Sequence, residues 1–141
     1  MKYLYKLLLV IILGVGITSF NLVNTNYSYK NIDQTAQWVK IAKRVVNMKA
    51  DHDEIPVAAN SGVFTKLKFK VNIAPIQVKN VKIVFGNGEV KNIVFNQKFP
   101  PGTESKVIDL PGNRRIIKKI IMNYKSFPGN GKAVVVVWGR R

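Results

Sequence analysis

Apolar and lysine side chains alternate with a period of two over residues 64–73. The apolar members are Leu67, Phe69, Val71 and Ile73, and the basic members are Lys66, Lys68 and Lys70. This period places successive side chains on opposite faces of a β-strand, whereas an amphipathic helix needs apolar residues three and four apart. The segment therefore predicts a strand with one dry face and one wet face.

The same alternation recurs along the chain and predicts seven or eight strands. They lie at about 38–49, 53–58, 63–74, 76–85, 90–99, 104–110, 114–125 and 132–139. Turn residues separate them, including Asn87-Gly88, which favours a two-residue type I′ hairpin, and Pro111-Gly112-Asn113. Gly88 and Gly112 are accordingly predicted to be structural. The expected fold is all-β, an antiparallel β-sandwich.

The last two predicted strands lack clean alternation. Isoleucines are paired at 116–117 and 120–121, and valines run unbroken from 134 to 137. Such runs are typical of strands that are buried on both faces. We therefore expect both strands to be buried on two faces, and so either central in their sheet or under an overlying segment.

The first 22 residues have the pattern of a targeting segment. Lys2 and Lys6 precede an uncharged, mostly apolar run over 7–20, which is short for a membrane span. This predicts a signal peptide, or alternatively an uncleaved anchor, at 1–22, a flexible linker at 23–37 and a single domain at 38–141. The protein is then expected in the periplasm, at the cell surface or secreted. With no cysteine in the chain, disulfides and thiolate metal sites are excluded.

A wider pattern of residues resembles a known family. Its parts are Trp38, 51–57, Phe64, Leu67, 84–89, 102–105, 108–117 and 137–140. These resemble the DUF2541 family of small exported bacterial proteins of unknown function, over about 38–140, and the segment 108–117 is the most specific. The resemblance implies export and an all-β domain, and it supplies no catalytic or ligand-binding residue.

Three of the seven carboxylates lie together beside the single histidine, as Asp51, Asp53 and Glu54 around His52. Asp51 and Asp53 are candidate Ca²⁺ ligands, but Ca²⁺ takes six to eight oxygens and three side chains within four residues do not enclose it. The favoured alternative is that these aspartates accept backbone N–H bonds or pair with arginines. No other cofactor is expected.

Asp109, Arg114 and Arg115 flank the turn at Pro111-Gly112. We expect one of the arginines to form a bidentate bridge to Asp109 or to Asp53, which would fix the geometry of the turn. The alternative is that the arginines bind a phosphate or carboxylate ligand.

The formal net charge of +16, with 23 Lys+Arg against 7 Asp+Glu, points to anionic partners. The candidate anion-binding residues are Lys66, Lys68, Lys70, Arg114, Arg115 and Lys118. The expected partners are acidic lipids or polymers of the envelope, or a protein. A charge that serves only solubility is the alternative. Dedicated nucleic-acid binding is not expected because no such motif is present, and membrane contact is expected only through an uncleaved N-terminus.

Trp38, Trp138, Tyr124 and Phe127 could form a platform that stacks on sugars, but aromatic residues on strands are more often core. We therefore expect Trp38 and Trp138 to be structural, with Trp138 buried in the valine-rich strand. No nucleophile elbow, metalloprotease or kinase motif occurs, so no catalytic activity is predicted. The sequence favours a non-catalytic exported domain, with a carbohydrate- or Ca²⁺-dependent binding module or an assembly subunit as alternatives.

Overall fold

The computed structural model describes residues 37–46, 51–127, 129 and 131–141, which belong to one compact unit spanning 34–141. The predicted signal peptide and nearly all of the predicted linker lie outside the described residues. The described part contains ten strands and one short 3-10 turn, Ala59–Ser61. The strands are β1 Trp38–Val45, β2 His52–Pro56, β3 Val63–Phe64, β4 Lys66–Asn72, β5 Ile76–Phe85, β6 Val90–Phe99, β7 Thr103–Glu104, β8 Ile108–Asp109, β9 Arg115–Ser126 and β10 Val134–Arg140. No helix in these ranges is long and apolar enough to cross a membrane.

The strands form two antiparallel sheets, which confirms the predicted β-sandwich. Sheet A has the order β1-β10-β4, and the short strands β7 and β8 both pair with the free edge of β4. Sheet B has the order β6-β5-β9, and β2 and β3 both pair with the other edge of β9. The segment predicted as one strand at 104–110 is thus two separate short pairings on the edge of sheet A.

The segment predicted as one strand at 63–74 crosses from one sheet to the other at Thr65. Phe64 pairs with Arg115 in sheet B, whereas Lys66 pairs with Arg140 in sheet A. Thr65 bridges the change, because its amide donates to the carbonyl oxygen of Arg140 at 2.8 Å. The crossing therefore connects the two sheets through the backbone, beside the core.

The core lies between the sheets and is built from the inward side of each strand's alternation. Leu67, Phe69 and Val71 are buried as expected, but Ile73 is 68% exposed and adopts a positive φ of 72°. The chain has turned out of the sheet at Ile73, so the predicted continuation of the alternation is wrong there. The largest fully buried side chains are Tyr124, Phe64, Phe85, Phe99, Ile55, Leu67, Ile76, Ile83, Ile117 and Met122.

The hairpin between β5 and β6 is present where Asn-Gly predicts it, but its turn differs. The amide of Gly88 donates to the carbonyl of Phe85 at 3.0 Å, and that of Phe85 donates to the carbonyl of Glu89 at 2.9 Å. Gly88 has a φ of +87°, while Asn87 is not among the residues with positive φ. The connection is therefore a three-residue loop with glycine in the left-handed position, not a type I′ turn.

Strands β9 and β10 are central in their sheets, as predicted, but neither is buried on both faces. Ile116 is 52% exposed, whereas Ile117 and Ile120 point inward. A register shift between β5 and β9 lies just after Ile117, where Phe85 pairs with Ile117 and Val84 pairs with Lys119. This bulge allows Ile117 and Ile120, three residues apart, both to face the core. In β10 the inward residues are Val135 and Val137.

Candidate functional site: the basic face of sheet A

The first and last strands each carry a tryptophan two residues before a cation on the outer side of sheet A. In β1 these are Trp38 and Lys40, and in β10 they are Trp138 and Arg140. Because the strands are antiparallel, Trp38 lies opposite Arg140 and Lys40 lies opposite Trp138. Residues two apart on a strand share a face, so the four side chains form a block of alternating tryptophan and cation.

Strand β4 extends this block with three lysines. Lys66 lies opposite Arg140, Lys68 opposite Trp138 and Lys70 opposite Val136. Three rows therefore cross β1, β10 and β4. They are Trp38–Arg140–Lys66, Lys40–Trp138–Lys68 and Lys43–Val136–Lys70. We call these nine residues the basic face.

Two carboxylates border the basic face on the short edge strands. Asp109 of β8 pairs with Lys66 at 2.5 Å, and Glu104 of β7 pairs with Lys68 at 2.8 Å. The Lys68 ammonium lowers the pKa of Glu104 below its ordinary value, chiefly through its hydrogen bond, and Lys66 lowers the pKa of Asp109 in the same way. The backbone carbonyl of Asp109 also accepts a 2.6 Å bond from Lys91, so Asp109 contacts two lysines.

Of the remaining lysines of the basic face, Lys70 lies opposite Glu104 on β7 and contributes to lowering its pKa. Among the described residues, Lys40, Lys43 and Lys70 take part in none of the five ion pairs. In the described part of the chain, six cations thus lie on a surface bordered by two carboxylates on the β4 side, and the positive excess lies toward β1.

Both tryptophans lie outside the hydrophobic core and are half-buried on the basic face. The expectation that Trp138 would be buried is wrong, because the inward positions of β10 belong to Val135, Val137 and Gly139. The ammonium of Lys68 lies 4.9 Å from the centre of the Trp38 ring, a cation–π contact.

The other two aromatic residues considered for a sugar platform are elsewhere. Tyr124 is fully buried, and Phe127 lies under the ammonium of Lys98 at 4.7 Å. The tryptophans alone therefore supply exposed aromatic surface on the basic face.

The candidate anion-binding residues do not form one surface. Lys66, Lys68 and Lys70 lie on the basic face, whereas Arg114, Arg115 and Lys118 lie at the start of β9 or just before it, in the other sheet. Further exposed lysines, such as Lys82 and Lys125, also lie on sheet B. Exposed lysines occur on both sheets, so charge alone does not distinguish the outer face of sheet A from that of sheet B. The two tryptophans lie only on the face of sheet A.

Arg115 has a structural role, with partners other than those expected from the sequence. Its guanidinium pairs with Glu89, donates to Asn87 Oδ1 at 3.2 Å and donates to the carbonyl of Pro111 at 3.1 Å. The hydrogen bond from Arg115 lowers the pKa of Glu89. The predicted bridge from this arginine to Asp109 or Asp53 is wrong, and Arg115 instead joins the β5–β6 hairpin to the turn at Gly112, whose φ is +78°.

Asp53 is an inward residue of β2 and pairs with an arginine that the sequence did not single out. Arg44 Nη2 lies 3.1 Å from Asp53 Oδ1, and the Tyr124 hydroxyl donates to Asp53 Oδ2 at 2.8 Å. Burial, followed by the hydrogen bond to Asp53, raises the pKa of Tyr124 well above its ordinary value. The link joins β1 of sheet A to β2 and β9 of sheet B.

Asp51 and Asp53 differ in burial. Asp51 is exposed, and its backbone carbonyl accepts the amide of Tyr124 at 2.8 Å. In the described part of the chain no three His, Cys, Asp or Glu side chains form a group that could hold a metal ion. The geometry thus gives Asp53 the arginine-paired role that was weighed against a calcium site.

The sequence reasoning missed Lys40, Lys43 and Arg140 as members of the basic face. A signal was present, because a tryptophan followed two residues later by a cation occurs both at Trp38 and at Trp138. On antiparallel neighbours this repeat brings each tryptophan opposite the other strand's cation.

Comparison with known proteins supports the family and leaves the activity open. A family model described as a domain of unknown function, DUF2541, matches residues 7–139. No curated protein matches. Among solved structures, Pseudomonas aeruginosa AlgX matches with 12% sequence identity and a TM-score of 0.47, and the match covers 73% of this chain and 26% of AlgX. This chain thus spans about a quarter of AlgX, and so distant a likeness says nothing about function.

Proposed function

The chain belongs to the DUF2541 family of domains of unknown function, and from this premise we propose that it is a non-catalytic, exported domain that binds acidic polysaccharides of the cell envelope. The proposed binding surface is the basic face. The observation that carries this proposal is the alternation of tryptophan and cation across β1 and β10, continued by the lysines of β4.

The dimensions of the basic face suit an extended polymer. Neighbouring strands lie about 4.8 Å apart and residues two apart on a strand lie roughly 6.7 Å apart, so the three rows cover about 10 by 13 Å. A polymer with repeated negative groups can contact several cations at once on such a surface. Lysine serves this purpose because it is a hydrated point charge that does not require bidentate geometry.

The tryptophans favour a sugar over other anions. An indole ring offers a flat apolar surface to the C–H face of a sugar ring, and an adjacent ammonium can pair with a carboxylate or sulfate on the same sugar. Trp38 with Lys68 at 4.9 Å, and Trp138 between Lys40 and Lys68, provide this combination twice. Acidic lipids and duplex DNA need the charges and do not need both rings.

The proposal is tested by elution of the protein from immobilised heparin and polygalacturonate in a salt gradient. We expect the double variant Lys40→Gln/Lys70→Gln to bind weakly, with a loss of about fivefold per lysine, equivalent to ~1 kcal/mol for an exposed charge contact. The matched control Lys82→Gln/Lys125→Gln removes the same charge from sheet B and is expected to elute close to the parent.

Two results would overturn the proposal. Equal losses in the two double variants would show that only total charge matters. Retention on vesicles containing phosphatidylglycerol, without retention on either polysaccharide, would assign the surface to a lipid instead.

A further inference from the structure

A polar groove opens on the outer side of sheet B, on the face of the sandwich opposite the basic face. Its volume is about 390 Å³, and its lining includes Asn80, Asn96 and Asn123 with His52 at one end. His52 pairs with Asn123, and Asn123 with Asn80, so the floor of the groove is one row that crosses three strands. None of its lining residues belongs to the basic face.

A bulge in the sheet shapes this groove. The register of β5 shifts between Val78 and Asn80 against both neighbouring strands. On the edge strand, Asn96 adopts a positive φ of 47° at the same level. Bulges redirect side chains and bend the strand locally, and they are enriched next to functional sites. Here the bulge turns Lys79 and Asn96 to the sides of the groove.

Hydrogen bonds link three asparagine side chains in a row, and each amide donates to the next one. Asn123 Nδ2 donates to Asn80 Oδ1 at 2.6 Å, and Asn80 Nδ2 donates to Asn92 Oδ1 at 3.1 Å. A primary amide has two N–H donors and two acceptor lone pairs, so each amide keeps donor and acceptor capacity after these bonds. These hydrogen bonds hold the side-chain amides in fixed orientations, which reduces the entropy cost of binding a ligand.

The chemistry of the groove differs from that of the basic face. Asp51 and Lys79 contribute opposite charges to its lining, and most of the remainder is neutral amide. Val94 is 58% exposed beside the amides and offers an apolar surface. Fixed donor–acceptor pairs match adjacent hydroxyl groups, and an apolar neighbour matches the C–H face of a sugar ring.

We propose that this groove, with Asn80 and Asn123 as its hydrogen-bonding groups, is a second binding site that takes an uncharged, hydroxyl-rich carbohydrate. The site is independent of the basic face. A chain with both sites holds an acidic polymer on one side of the sandwich and a neutral sugar on the other.

The test is a titration of the full chain, followed by NMR of its asparagine side-chain amides, with neutral hexasaccharides of glucose, N-acetylglucosamine, galactose and mannose. We expect at least one of them to shift the amide signals of Asn80 and Asn123, and Asn80→Val to weaken that binding at least tenfold. Asn72→Val is the matched control, since Asn72 is on β4 in the other sheet. Val94→Asp, at the exposed position opposite Asn80, replaces the apolar surface of the groove with a carboxylate and is expected to weaken the same binding.

Absence of shifts with all four hexasaccharides would overturn the second site, as would equal weakening by Asn80→Val and Asn72→Val. The double variant Lys40→Gln/Lys70→Gln is expected to bind the neutral sugar like the parent. This result separates a failure of the groove from a failure of the basic face.

Discussion

Gly139 is the position where a single added carbon should most disturb the contact between the two sheets. A Cβ at this residue would lie 2.5, 2.8 and 2.9 Å from three carbons of the Phe64 ring. Phe64 is fully buried, and its backbone is paired to β9 in sheet B, while Gly139 lies between Val39 and Leu67 in sheet A. Neither partner can move away without breaking a strand pairing.

The expected cost of Gly139→Ala follows from this overlap. Carbon atoms in contact prefer about 3.5–4.0 Å, so three ring contacts would be roughly 1 Å too short. Overpacking in a core usually costs about 1–3 kcal/mol, and the rigid surroundings place this variant near 3 kcal/mol. For a domain of this size that loss lowers Tm by on the order of 15 °C.

Thermal unfolding followed by circular dichroism measures this shift. The second variant, Phe64→Leu in the Gly139→Ala background, should recover part of the lost Tm because the smaller side chain leaves room for the new methyl group. A Gly139→Ala protein that melts within about 2 °C of the parent would refute the reasoning, since an overlap of this size in a rigid core shifts Tm several times further.

Two further expectations concern the link between Asp53 and Tyr124. Asp53→Ala leaves the buried Tyr124 hydroxyl without this acceptor and should lower the free energy of unfolding in urea by about 2–4 kcal/mol. The control Glu104→Ala removes only a solvent-exposed pair with Lys68, so it should change the free energy of unfolding far less. Because the folded-state pKa of Tyr124 is raised, its contribution to stability is complete below the ordinary tyrosine value of about pH 10 and is lost as the pH rises above it. The urea midpoint should therefore fall less between about pH 9 and pH 11 in Tyr124→Phe than in the parent, and equal falls would contradict this origin.

Much of sheet B could be predicted from the sequence, because local signals agree there. Alternation on both sides of a Gly-Asn-Gly turn predicted strands at 76–85 and 90–99, and β5 and β6 have those bounds. The turn type was wrong because Gly88, and not the Asn-Gly pair, takes the left-handed conformation.

The switch between sheets could not be inferred from alternation alone. Phe64 and Leu67 are both buried although they are three residues apart, so the period of two is interrupted at Thr65. Such an interruption is visible in the sequence, but it does not say which strand each half will join. The same ambiguity made Ile116 and Ile117 look like part of a doubly buried strand, whereas Ile116 is exposed and only Ile117 faces the core.

The candidate site was only partly predictable for a related reason. Which side chains share the basic face depends on the order of β1, β10 and β4, and these strands come from the two ends and the middle of the chain. The lysines of β4 were predicted to share one face, while their tryptophan neighbours were assigned to the core. Arg44 escaped notice because it reaches Asp53 across the two sheets.

The tryptophan fluorescence of the full chain tests the central claim most directly. The chain contains two tryptophans, and both lie on the basic face. Titration with polygalacturonate should change their emission to saturation and protect them from acrylamide quenching, and both effects should reverse as salt screens the lysines. Binding of the polymer to an immobilised sample of the protein with no change in emission or quenching would contradict the claim that the basic face is the binding surface.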